Sequence, residues 1–285
     1  MRQAHVIGVL LSAAVALGAC ERSGEAEVNR AMRDLNVIDE SNLNDVMLNA
    51  ADPSESVTYF TRAVANDPDR VDLQRGLGTA LVKADRPTEA IAAWRSVYAH
   101  PEATEDDQVA YADALIRANQ WSEAESILNS IPPTHETYRR YRLEAMIADG
   151  NEDWEDADVF YETALGLTTD QAGVLNNWGY SKLTRGDFLA AEQLFVRAIQ
   201  ANAQLFTAKN NLMLARGAQH KYELPVVPMS QIERAQLLHT LALTAIKQND
   251  VTIGRGLLQE AIDTHPQHFE EAARALRALE SNVQN

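Results

Sequence analysis

The sequence predicts an all-α fold: a solenoid of antiparallel helix pairs, wound as a right-handed superhelix and closed by a capping C-terminal helix. Three observations predict it. The chain resembles itself at a period of 34 residues, the signature of a stacked supersecondary unit. Aromatic residues make up only 6% of the chain, and alanines recur at fixed repeat positions, so crossing helices meet through small side chains. Asp67-Pro68 and His265-Pro266 each close a helical stretch that ends in alanine, where proline stops a helix.

The elements follow in order. Contiguous frames cover 37–70, 71–104, 105–137 (one residue short), 138–171 and 172–205, and a further frame fits 235–268. Frame 37–70 is degenerate: Ser56 stands where the others carry alanine, and Asp52-Pro53 marks its turn. Frame 71–104 carries Leu77-Gly78, Asp85-Arg86-Pro87, Ala90 and Trp94; frame 105–137 carries Tyr111-Ala112, Asn119-Gln120-Trp121, Ala124 and Leu128. Frame 138–171 shows Ala145, Glu152-Asp153-Trp154, Ala157, Tyr161 and Ala164. Frame 172–205 is the clearest, with Trp178-Gly179, Gly186-Asp187-Phe188, Ala191, Phe195 and Ala198. These positions resemble the tetratricopeptide repeat family, which alternates two antiparallel helices. Gly179 and Ala191 then belong where the helices cross, Gly186-Asp187 at the turn, and Phe188 and Phe195 in the gap to the next repeat. The four tryptophans, Trp94, Trp121, Trp154 and Trp178, fall at framework positions and are expected in the core.

The array breaks once. Residues 206–217 supply a further first helix, but Pro225-Val226-Val227-Pro228 prevents a second one from following, so 218–230 reads as an extended connector. Ser230 with Glu233 three residues on forms a capping-box signature for the next helix. The final repeat and a charged amphipathic helix over 269–281 occupy the remainder, 231–285. A solenoid needs such a polar end.

The first residues, MRQAHVIGVLLSAAVALGAC, read as an address. Arg2 and the apolar run from Val6 form a signal peptide over 1–19. Leu17-Gly18-Ala19-Cys20 resembles the lipobox of bacterial lipoproteins, which implies cleavage before Cys20 and a diacylglycerol thioether on its sulfur. Glu21, in place of an aspartate, implies outer-membrane sorting by the same resemblance. Residues 20–36 then form a lipidated tether. The covalent lipid on Cys20 is the one non-protein group expected; no cofactor and no metal is.

Composition narrows the chemistry. The chain has 285 residues, 25 Lys+Arg against 41 Asp+Glu, and a single cysteine. One cysteine excludes a disulfide scaffold and cysteine-built zinc or iron–sulfur sites. A net charge of −16 argues against nucleic acid, whose phosphates call for clustered Lys/Arg. No HExxH, GxSxG or glycine-rich phosphate loop is present, so no catalytic residue is assigned. His265, His268 and Glu271 invite a metal reading, but their place around Pro266 reads as an exposed inter-repeat turn.

What a repeat array offers is a concave face lined by first helices. Arg75, Lys83, Asp113, Arg117, Arg139, Arg142, Asn176, Asn177, Tyr180, Asn210 and Asn211 fall at positions that reach this face in tetratricopeptide families. From them Arg75, Arg117, Arg139, Arg142, Asn177, Tyr180 and Asn211 are the expected partner-binding residues. The arginines would take ligand carboxylates. Asn177 and Asn211, 34 residues apart, would stack and hydrogen-bond a peptide backbone.

Tyr222-Glu223-Leu224-Pro225-Val226-Val227-Pro228-Met229 and Thr264-His265-Pro266-Gln267-His268-Phe269-Glu270 resemble the tight-adherence (Tad/Flp) pilus assembly lipoproteins of alphaproteobacteria. That resemblance implies a non-enzymatic, pilotin-like scaffold at the periplasmic face of the outer membrane, gripping a secretin subunit or another pilus assembly component. Alternatives are a lipoprotein accessory of another envelope machine, for outer-membrane protein insertion or secretion, or an accessory of cell-wall enzymes.

Overall fold

A computed structural model describes residues 43–283. The leader, Cys20, the tether and the start of frame 37–70 lie outside the described residues. Every regular element among the described residues is a helix. They divide into two compact units, the chain passing from the first to the second between Gln120 and Trp121. The first holds α1 (residues 43–49), α2 (Pro53–Asn66), α3 (Val71–Lys83), α4 (Pro87–Tyr98) and α5 (Glu105–Arg117). The second holds α6 (Trp121–Ser130), α7 (Tyr138–Gly150), α8 (Trp154–Gly166), α9 (Ala172–Thr184), α10 (Phe188–Ala201), α11 (Phe206–Ala218), α12 (Gln231–Lys247), α13 (Val251–Thr264) and α14 (Glu270–Val283). No described helix is long and apolar enough to cross a membrane.

The turns carry the period in their backbone. Asp85, Asn119, Glu152, Gly186, His220 and Asn249 all have positive φ, between 56° and 86°. Each follows the helix at the first position of a repeat, and at His220 no second helix comes after it. The next residue's N–H then reaches back five residues: Arg86 to Leu81, Gln120 to Leu115, Asp153 to Ala148, Asp187 to Lys182, Lys221 to Arg216 and Asp250 to Ala245. This is the Schellman closure, which satisfies carbonyls that the helix end would orphan. The one-residue deletion expected in frame 105–137 falls between the turns at Asn119 and Glu152.

Packing follows the small positions. Ala90, Ala124, Ala157 and Ala191 are all fully buried. Ser56 fills the same position in the degenerate frame, and its hydroxyl donates to the Met47 and Asp52 carbonyls. A Cβ built on Gly179 would lie 2.7 Å from the Phe195 ring, and one on Gly78 would lie 2.6 Å from the Trp94 indole. Both rings therefore sit over the glycine of their own pair. Phe195 shares its buried cluster with Ala208 and Leu212 of the following helix as well. Burying a side chain of this size contributes about 2–3 kcal/mol, which a crossing without the glycine would forfeit.

The connector begins one residue later than expected, after Ala218. His220 holds the left-handed turn at the place a second helix would leave from, and an extended segment replaces that helix. Leu224, Val227 and Met229 pack on the core of the second unit. Lys221 pairs with Glu192 at 2.9 Å, Arg216 donates to the Glu223 carbonyl at 3.2 Å, and the Tyr222 hydroxyl donates to Asp250 at 2.5 Å. The segment is thus a packed bridge. Beyond it, Ser230 and Glu233 form the expected capping box of α12. Glu233 also receives the buried Lys209 ammonium of α11 at 2.8 Å. Helix α14 places Leu276 and Leu279 on the core of the last repeat.

Candidate binding cavity on the first helices of the second unit

Three first helices, α7, α9 and α11, present their side chains to one cavity of about 560 Å³. Met146 and Asp149 come from α7, Asn176, Asn177 and Tyr180 from α9, and Asn211 from α11. Trp121 and Trp154, the first residues of α6 and α8, complete the wall. The left-handed backbone of Glu152 turns the chain sharply after α7 and brings Glu152 and Trp154 to the rim.

Asp149 organises the floor. Its Oδ2 accepts from the Tyr161 hydroxyl at 2.8 Å and its Oδ1 from the Ser181 hydroxyl at 2.6 Å. Burial pushes its carboxyl above the ordinary value, and the two hydroxyl donors do not cancel that rise. Tyr161 is almost fully buried, and burial beside this carboxylate raises its phenol strongly. Behind the wall, Asp158 accepts from the Trp178 indole at 2.6 Å, from Lys182 at 2.8 Å and from Arg185. Burial alone would raise Asp158, but these hydrogen bonds outweigh it and its carboxyl lies below the usual range. The Arg185 guanidinium also stacks over Trp154, 5.6 Å from the ring centroid.

Asn177, Tyr180 and Asn211 of the expected site line the cavity. Tyr180 is 52% exposed and free to meet a ligand. The asparagine ladder pairs differently from expectation: the Asn211 amide donates to Asn176 at 3.1 Å, while the Asn177 amide approaches Met146 sulfur at 3.6 Å. Asn210 accepts from Thr240 at 2.7 Å.

The arginines are placed elsewhere. In the first unit, Arg75 binds both oxygens of Asp107 at 2.8 Å and the Glu102 carbonyl, and Arg117 pairs with Asp113 at 2.8 Å. Lys83 donates to the Leu48 carbonyl. Arg139 is exposed on α7 and Arg142 is partly buried on it; neither lines the cavity. The expectation that Arg75 takes a ligand carboxylate is therefore corrected: a carboxylate of this chain already fills its fork. The tryptophans are corrected too. Trp94 is core at 5% exposure, but Trp121 is 39% exposed and joins Trp154 at the cavity. Repeat position alone does not separate a buried ring from a cavity wall, and Asp149 gave no signal before its neighbours were known. At the C-terminal end, His265 stacks on Phe269 while His268 pairs with Glu270 at 2.9 Å. Among the described residues no three His, Cys, Asp or Glu side chains gather as for a metal.

A tetratricopeptide repeat family model matches residues 46–107, including most of the degenerate frame. A search of curated proteins finds no significant match. Among solved structures, a chain of the APC/C hetero-tetramer Cut9–Hcn1 matches with a TM-score of 0.59 and 14% identity over 83% of this chain. A tetratricopeptide repeat protein from Parabacteroides merdae matches at 0.55 and 11% over 84% of this chain and 96% of its own. The human IFIT1 dimer with m7Gppp-AAAA matches at 0.57 and 13% over 80%. The chain spans 48% of the Cut9–Hcn1 chain and 58% of the IFIT1 chain, about half the length of each. At these identities the likeness is one of fold, and that fold is the tetratricopeptide-type array of helix pairs.

Proposed function

We propose that this tetratricopeptide-repeat chain is a non-catalytic scaffold that holds a segment of a protein partner in the α7–α9–α11 cavity. The observation that carries the reading is the cavity itself: about 560 Å³, within the range of ligand sites, with aromatic walls and amides able to pair with a peptide backbone. The lipobox at Cys20 supports an acyl anchor at the periplasmic face of the outer membrane, because several chains on one residue suffice for stable attachment at about 0.8 kcal/mol per buried CH₂. The resemblance of residues 222–229 and 264–270 to Tad/Flp pilus assembly lipoproteins supports a pilotin-like role, with a secretin subunit or another assembly component as partner.

Pull-down of the chain from detergent-solubilised envelopes tests the machine. Co-purification of pilus assembly components is expected; recovery of insertion machinery alone would overturn the assignment. Fractionation of Cys20→Ala tests the anchor. The variant is expected in the soluble fraction with altered mobility, and an unchanged membrane-bound species would refute lipidation.

A further inference from the structure

Several partly buried carboxylates of this fold are met by Lys or Arg, while Glu125 is met by the Asn151 amide and Asp250 by Tyr222 and His220 at the exposed turns. Asp107 has Arg75, Asp158 has Lys182 and Arg185, and Glu192 has Arg216 and Lys221. Asp149 departs from that pattern. Its partners are two neutral hydroxyls, Tyr161 and Ser181, and its oxygens retain capacity to accept more. It lines the cavity, and so does the exposed Glu152 at the rim. No Lys or Arg is among the lining residues. The cations nearest in the fold donate elsewhere: Lys182 and Arg185 bond Asp158, so the Arg185 charge reaches Asp149 only across space.

From this we infer that the cavity receives a lysine or arginine side chain of the partner segment, with Asp149 as its counter-ion. The inference rests on the partner-segment reading above and gives the ligand its charge. Trp121 and Tyr180 supply open ring faces for the aliphatic stem and the cation; one face of Trp154 is already covered by Arg185. Glu152 adds a second negative charge where the cation enters, and the chain's net charge of −16 draws cationic segments in from a distance. The sign is opposite to the one expected from the arginines of the first helices.

The test uses the full-length chain in detergent and an array of capped twelve-residue peptides, randomised except at one central position. That position carries lysine, arginine, citrulline or glutamate. Lysine and arginine are expected to be retained about tenfold over citrulline, or about 1.4 kcal/mol, and more over glutamate. Asp149→Asn is expected to bring the basic and citrulline pools within about twofold of each other. Glu152→Lys, a change at an exposed turn outside the core, is expected to cut the lysine preference at least threefold and decides the matter if Asp149→Asn unfolds. Equal retention of basic, citrulline and glutamate pools, or a glutamate preference, overturns the inference while the partner-segment reading stands. Preference that persists unchanged in both variants also overturns it. Failure to retain any pool overturns both.

Discussion

Arg75 and Asp107, 32 residues apart, form a two-pronged ion pair with both bonds at 2.8 Å. Asp107 is only 5% exposed and also closes the capping box of α5 with Thr104. Arg75 thus ties one first helix to the next. Replacing it with methionine is expected to destabilise the chain by about 2–4 kcal/mol, because it leaves a buried carboxylate without its cation. Urea unfolding checks the figure, and a loss under 0.5 kcal/mol would show that the pair contributes little.

The same carboxylate gives an acid limit. Burial acts to raise Asp107, but Arg75 and the Thr104 donors prevail, and the folded carboxyl lies below its ordinary value of 3.8. A depressed carboxyl contributes stability above the unfolded pKa and loses it as pH falls through the folded one. Melting temperatures of the parent and of Asp107→Asn are therefore expected to draw together as pH falls below about 4 and to converge only below the folded pKa, where the carboxylate is protonated in both folded and unfolded chains.

Asp149 has the reverse sign. Its folded pKa is raised by burial, so its contribution is complete below the unfolded pKa and is lost as pH rises through the folded one. Asp149→Asn is expected to be at least as stable as the parent at pH 7 and to lose that advantage at acid pH. A variant less stable at pH 7 than at pH 4, relative to the parent, would contradict the assigned sign.

The connector yields an ordered pair of variants. Lys209 has a side chain only 2% exposed and bonds Glu233. Glu233→Ala strands that ammonium and removes part of the α12 cap, at an expected cost of about 3–5 kcal/mol. Lys209→Met fills the same volume with an apolar chain and is expected within about 1 kcal/mol of the parent. Equal costs in thermal unfolding would mean the ammonium is not isolated by burial.

Gly179→Ala is expected to cost about 1–3 kcal/mol, since its methyl would enter the fully buried Phe195 ring in a core with no space to yield. Gly173, with open space around its Cα, is the control: Gly173→Ala is expected to be neutral or slightly stabilising.

How far the chain can be read without coordinates depends on the kind of feature. Ala157, Ala191 and Gly179 were legible because a crossing point excludes side-chain volume, and exclusion recurs at every repeat. The turn at Gly186 was legible because glycine marks a left-handed backbone. The turn at His220 was not, because histidine carries that conformation without advertising it, and the prolines nearby drew attention to the connector instead. Asn211 was read on the first-helix face with Asn177 above it; it lines the cavity, and its amide bonds Asn176 instead. One residue along a helix rotates a side chain by about 100°, so repeat spacing fixes the face more firmly than the partner.

The sequence by itself determined the all-α repeat, its 34-residue period, its single deletion, its interrupted sixth unit and the cap at Ser230. These follow from backbone closure and excluded volume, which act between chain neighbours and so leave a periodic trace. Only the tertiary structure decided which charges meet: that Arg75 is closed by Asp107, that Lys209 reaches Glu233, and that Asp149 is left facing the cavity with hydroxyl partners alone. Long polar side chains span several ångströms and can choose among partners on two or three helices, and that choice has no period to read.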